Sequence, residues 1–204
     1  MTVVFAFAEA FMPVPRICEP VSMVDIKVRL LHDDEWQLYR AARLAALADA
    51  PEAFVARYED EAADNQDVWG LRMTRAHRFI AERGGDTVGL VCLGLHNENP
   101  ETGEVFALWT APTVRGEHIA HDLVSAAALK AAEDGCRLLY FWAPSDNASA
   151  VGFASSFGFR PTEERRAVRV AQGATQKDAD EVAMVLPLSP DPTQPPNPYM
   201  PFHS

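Results

Sequence analysis

The sequence predicts one α/β domain built on a mixed, mostly antiparallel sheet of roughly six or seven strands flanked by about four helices. Three observations predict it. Segments of alternating apolarity interleave with segments of helical period in the order β-α-α-β-β-β-α-β-α-β-β. Gly-containing turns punctuate them. Pro-rich stretches bound the pattern on both sides, leaving residues 25–188 as the domain between an extension (1–24) and a C-terminal tail (189–204).

The elements follow in chain order. Pro13, Pro15 and Pro20 break any regular element in the extension. Ile26-Lys27-Val28-Arg29-Leu30 alternates as a strand. Asp33 or Asp34 offers a cap for a helix through Ala50, which Pro51 ends or interrupts. Tyr58 to Ala76 reads as one helix, acidic at its start and basic at its end, as the helix dipole favours. His77–Glu82 and Thr87–Leu95 are strands joined by a tight turn at Gly84-Gly85-Asp86. Asn97–Gly103 reads as a loop and Glu104–Ala111 as the next strand. Gly116–Asp134 is a helix, with Ile119, Leu123, Ala127 and their neighbours Ala120, Val124 and Ala131 on one apolar face, and Gly135 ends it. Leu138–Ala143 is a strand. Asp146 or Asn147 caps a short helix that runs to Phe157 and stops at Gly158. Phe159–Val170 and Glu181–Leu188 form a closing antiparallel pair. The tail, Ser189–Ser204, holds six prolines and no Lys or Arg, a composition of extended or disordered chain.

Composition narrows the function classes. With 18 Lys and Arg against 29 Asp and Glu, the net charge of −11 argues against a nucleic-acid backbone as partner and is compatible with a cationic one. No apolar run reaches the roughly 20 residues that span a bilayer. Val3–Ala8 is apolar but short, lacks a basic flank and is followed by Glu9, so no signal peptide is expected. The 3 cysteines form no CxxC pair, which suggests reduced thiols and a cytoplasmic location, with Cys92 and Cys136 as small core residues.

Two motifs carry a resemblance. The first, Arg115-Gly116-Glu117-His118-Ile119-Ala120, lies between a strand and a helix, where backbone N–H groups can meet a phosphate. The second is Asn147-Ala148-Ser149-Ala150-Val151-Gly152-Phe153-Ala154-Ser155-Ser156-Phe157-Gly158-Phe159. Correctly ordered and spaced, they resemble the acyl-CoA loop (R-G-x-G-x-G/A) and the N-x-x-A-x-x-F-Y-x-x-x-G-F motif of the GCN5-related N-acetyltransferase (GNAT) superfamily. The resemblance covers roughly Ile26 to Leu188.

It implies acetyl-CoA as co-substrate and direct attack by an amine on the thioester in a ternary complex. The diphosphate would lie on the amides of Arg115, Gly116, Glu117, His118, Ile119 and Ala120, with Arg115 adding charge. The pantetheine arm would pair along Leu108, Trp109 and Thr110, one of whose amides would stabilise the oxyanion. Asn147 matches the residue that contacts the arm from the next strand; a helix cap beside Pro144 is the competing role, and both can coexist. Glu104 holds a place similar to that of the catalytic Glu of histone acetyltransferases. Alternation puts Glu104, Phe106, Leu108 and Thr110 on one face; a solvent-facing acid is the competing reading of Glu104. An ammonium of pKa about 10.4 needs such a base.

The acceptor would be a protein lysine or a small amine, with the acidic run Glu59-Asp60-Glu61 through Asp64 available to a cation or simply solvated. Dimers are common in the superfamily, so a homodimer is open. Two positions depart from the pattern. His118 replaces a Gly; its imidazole would face the phosphates or turn to solvent, the second being favoured. Ala154 replaces the Tyr that protonates the leaving thiolate; a thiol of pKa about 8.5 leaves without it, more slowly. Ser155 and Tyr140 are substitutes that do not align with that role. His118 and His121 stand three apart without a third ligand, so no metal is expected. The alternatives are a CoA-binding module with weak or no catalysis and an interaction protein that uses the Pro-rich tail.

Overall fold

The computed structural model describes residues 25–96, 99–167 and 180–188. The expected extension and Pro-rich tail lie outside the described residues, as does Cys18. Among the described residues, seven strands form one sheet in the order β1-β2-β3-β4-β5-β7-β6. They are β1 (Ile26–Leu30), β2 (His77–Arg83), β3 (Asp86–His96), β4 (Asn99–Thr110), β5 (Leu138–Pro144), β6 (Arg160–Ala167) and β7 (Asp180–Pro187). Only β4 and β5 run parallel; the other neighbours pair antiparallel. The helices are α1 (Trp36–Asp49), α2 (Tyr58–Ala62), α3 (Gln66–Arg75), α4 (Ile119–Glu133) and α5 (Ala148–Phe157).

Two apolar layers sandwich the sheet. On one face α4 and α5 bury Ile119, Leu123, Ala127, Ala154 and Phe157 against Val91, Leu93, Val105 and Leu139. On the other α1 and α3 bury Tyr39, Ala42, Ala46, Trp69 and Met73 against Ile80, Leu90, Cys92 and Trp109. The described cysteines are core residues: Cys92 is 0% and Cys136 4% exposed.

Four local expectations are corrected. Neither Asp33 nor Asp34 caps α1. Glu35 holds that position, and its carboxylate turns back to accept from the His32 N–H at 2.8 Å and from Arg29 at 2.9 and 3.0 Å. The helix expected over Tyr58–Ala76 is broken: Asn65 accepts from the Val68 N–H at 3.1 Å and starts a new helix, because a short polar side chain competes with the backbone ladder. The loop expected over Asn97–Gly103 is mostly strand, since β4 already begins at Asn99. Gly103 is a packing glycine there; a Cβ on it would lie 3.1 Å from both Leu139 Cδ1 and Leu93 Cδ1. Finally, α4 begins at Ile119 rather than Gly116, since Gly116 and His118 both have positive φ, 87° and 64°. The Gly84-Gly85 turn, with φ of 61° and 93°, has the left-handed pair that suits a two-residue hairpin.

Candidate active site

The site begins with a break in the sheet. β4 and β5 pair from Thr102↔Leu138 to Val105↔Phe141 and no further. Both strands continue, β4 to Thr110 and β5 to Pro144, each held on its outer side: Leu90↔Trp109 and Gly89↔Thr110 on one flank, Trp142↔Ala183 and Ala143↔Val182 on the other. The inner edges therefore part toward their C-terminal ends, where α4 and α5 start. Ligands in α/β sheets bind beyond the carboxyl ends of parallel strands, and an unpaired strand edge can hydrogen-bond an extended ligand arm.

A bulge in β4 shapes this edge. Ala107 has φ 54°, and the register shifts between Leu90 and Cys92, so one extra β4 residue is accommodated. This overturns the expected common face. Val105 and Leu108 pack toward α4 and α5, whereas Trp109 is buried with α1 and α3. Glu104 and Phe106 thus share a face with Trp109, not with Leu108 and Thr110; a bulge reverses the alternation beyond it. Thr110 lies opposite Gly89, whose Cβ position faces Leu123 and Ile119 of α4.

The first turn of α4 supplies donors. Its first hydrogen bond runs from the Asp122 N–H to the His118 carbonyl at 3.1 Å. The N–H groups of His118, Ile119 and Ala120 have no protein acceptor among the described residues, as the opening of any helix leaves them. His118 takes the left-handed conformation that a Gly would adopt here. The His118 ring is exposed. Glu117 is held by an ion pair with Arg83, which keeps its carboxyl below the usual carboxylate range. Arg115 bonds sideways, to the Asp49 carboxylate and to the Thr110 carbonyl at 3.3 Å. On the other lip, Asn147 caps α5, its Oδ1 accepting from the Ala150 N–H at 3.0 Å.

Glu104, opposite Tyr140 across the parallel ladder, is partly exposed and meets Arg166 at 3.6 Å. Arg166 also pairs with Glu181 and lies 4.2 Å over the Trp142 ring. The Tyr140 hydroxyl donates to Glu164 at 3.2 Å. Burial first, then the Glu164 charge, pushes that phenol above its usual pKa, so it holds its proton at neutral pH. Sequence reasoning missed Arg166, Glu181 and Trp142 as neighbours of Glu104, because no local spacing joins them; it likewise missed Asp49.

Ala154 is 0% exposed, and its carbonyl accepts from the Gly158 and Phe159 N–H groups. The acidic run is largely neutralised within the helices. Glu61 is buried against Arg43 at 3.0 Å, and Asp64 pairs with Arg72 at 2.7 Å, leaving Glu59 and Asp60 exposed. Among the described residues there is no cluster of three or more His, Cys, Asp or Glu side chains able to hold a metal, and no helix long and apolar enough to cross a membrane.

Comparison with known proteins places this geometry. The model of the Acetyltransferase (GNAT) family matches residues 32–159. No curated protein matches the sequence significantly. Among solved structures, an acetyltransferase of the GNAT family from Streptococcus pneumoniae superimposes with a TM-score of 0.64 at 15% identity, over 81% of this chain and 100% of the other. The yncA protein of Salmonella typhimurium, solved with its cofactor acetyl-CoA, gives 0.61 at 18% identity, over 84% and 98%. The ribosomal-protein-alanine N-acetyltransferase of Brucella melitensis gives 0.60 at 19%, over 79% and 99%.

Proposed function

Because the chain belongs to the acetyltransferase (GNAT) family, we propose that it transfers the acetyl group of acetyl-CoA to a primary amine, by direct attack in a ternary complex. The observation that carries this reading is the parting of β4 from β5 beside the unpartnered N–H groups of α4. An extended arm can complete the β4 ladder at Leu108, Trp109 and Thr110. A diphosphate suits the N–H groups of His118, Ile119 and Ala120 within the 115–120 turn, at the positive end of the helix dipole, while the Glu117 N–H already donates to the Val114 carbonyl at 3.3 Å. Asn147, with its Oδ1 engaged as a cap, retains its amide N–H groups for the opposite side of the arm.

The amine nitrogen attacks the thioester carbon and the C–S bond breaks. Glu104, directly or through a water, takes the proton the nitrogen sheds. A β4 amide near the bulge stabilises the oxyanion. The thiolate leaves as an anion or takes a proton from solvent. The acceptor is a protein lysine or a small amine.

The test is binding of CoA by calorimetry and release of free thiol against an amine panel that includes protein lysines. Glu104→Gln should lower kcat by about 10²-fold with CoA affinity intact. No detectable CoA binding at millimolar concentration would overturn the proposal. A second reading, CoA binding with little catalysis, is favoured by Ala154, which supplies no acid; it predicts CoA binding with no thiol release for any amine on the panel.

A further inference from the structure

Asp49 is the last residue of α1. A carboxylate at a helix C-terminus faces the negative end of the dipole and is unfavourable there unless donors offset it. Two donors do so. Trp109 Nε1 donates to Asp49 Oδ2 at 2.8 Å, and the Arg115 guanidinium closes on the same oxygen. The Arg115 Nε also reaches the Thr110 carbonyl at 3.3 Å. Trp109 is buried at 8% exposure, so its indole is fixed. The Asp49 side chain is 20% exposed, against 52% for Arg115. One carboxylate therefore joins three parts of the molecule: the end of α1, the β4 edge just past the bulge, and the turn that leads into α4.

We infer that Asp49 is a positioning residue for acyl-CoA, holding the 115–120 turn against β4 through Arg115 and Trp109. The inference rests on the CoA reading of that turn. It differs from it in one consequence: Arg115 serves the turn as an anchor bound to Asp49, rather than as a charge directed at the diphosphate. If the diphosphate instead drew Arg115 away, Asp49 would compete with the ligand, and removing its charge would tighten binding.

The two cases have opposite signs in Asp49→Asn. That side chain keeps an acceptor for Trp109 but no charge for Arg115. An anchor predicts weaker CoA binding by roughly three- to tenfold, with KM for acetyl-CoA raised and kcat little changed. It also predicts faster amide exchange at Glu117 and Asp122, whose N–H groups bond to the Val114 and His118 carbonyls. Asp49→Glu should recover part of both effects, and Trp109→Phe should reproduce the exchange effect in a weaker form. Exchange is measured without ligand, so it decides the anchor even where wild-type protein fails to bind CoA; that failure would overturn the function and leave the anchor to the exchange data. Unchanged exchange at both amides in Asp49→Asn, or CoA binding as tight as or tighter than wild type, overturns the inference.

Discussion

Gly89 lets α4 lie against β3, and an added methyl group there measures how closely the helix start is held. A Cβ at 89 would stand 2.8 Å from Leu123 Cδ1 and 3.3 Å from both Ile119 Cγ2 and Ala81 Cβ. Carbon pairs settle at about 3.5–4.0 Å, so the Leu123 methyl in the second turn of α4 would have to move by roughly 1 Å and Ile119 in the first turn by a few tenths of an ångström. Leu123 and Ile119 are 0% and 1% exposed, which leaves them no free volume. Such overpacking costs about 1–3 kcal/mol. Loss of unfolded-state freedom on Gly→Ala offsets about 0.4–1 kcal/mol. The net for Gly89→Ala is about 0–2.6 kcal/mol, about 1.3 kcal/mol at the midpoint, a fall in Tm of roughly 3–5 °C for a domain of this size. Ile119 directly follows His118, so the same displacement moves the donor turn and should weaken CoA binding several-fold. Gly103→Ala is the control. Its Cβ would meet Leu93 and Leu139 at 3.1 Å and Ala131 at 3.4 Å, near the far end of α4. It should lower Tm while leaving CoA affinity close to wild type. Scanning calorimetry and CoA titration read both variants. A wild-type Tm for Gly89→Ala, or an equal loss of affinity in Gly103→Ala, would refute the reasoning.

Three further outcomes are expected. His118→Val should lower thermal stability by about 1–2 kcal/mol, since a β-branched residue fits poorly at φ 64°. His118→Gly should stay within about 1 kcal/mol of wild type, relief of strain offsetting the added chain entropy; equal melting of the two variants would show that the conformation is not held. Gly152 lies exposed within α5 with nothing within 4 Å of a built Cβ, so Gly152→Ala should raise stability by about 0.5–1 kcal/mol in chemical denaturation. The Glu35 carboxyl is held below its usual pKa by the His32 N–H first and by Arg29 after burial's opposing effect. A depressed carboxyl contributes stability that is present above its unfolded pKa of about 4.3 and lost as pH falls through the folded value. Glu35→Gln should therefore melt below wild type at pH 7 and approach it near pH 3; a Tm difference independent of pH would remove Glu35 from the acid response.

Much of the fold can be read from local chemistry. β1, the left-handed Gly84-Gly85 turn, the α4 face of Ile119, Leu123 and Ala127, the Asn147 cap and the Gly158 stop each depend on residues within a few positions of one another. The order of those elements, with its two motifs, identified the family before any contact was known. Two errors were also local: the Asn65 cap inside an apparent helix, and a strand hidden in Asn99–Gly103, whose polar and Gly residues resemble a loop until Thr102 and Gly103 are buried by neighbours.

The working geometry of the site was decided by tertiary structure. The bulge at Ala107 arises from pairing between β3 and β4, and it sent Leu108 to the opposite face from Glu104 against simple alternation. Arg166 reaches Glu104 from β6, and Asp49 reaches Arg115 from the end of α1, across sequence separations of 62 and 66 residues. Periodicity reports which way a side chain points relative to its own element. Which partner it meets depends on how distant elements dock, and here that docking sets what the turn at Arg115 and the carboxylate of Glu104 can do.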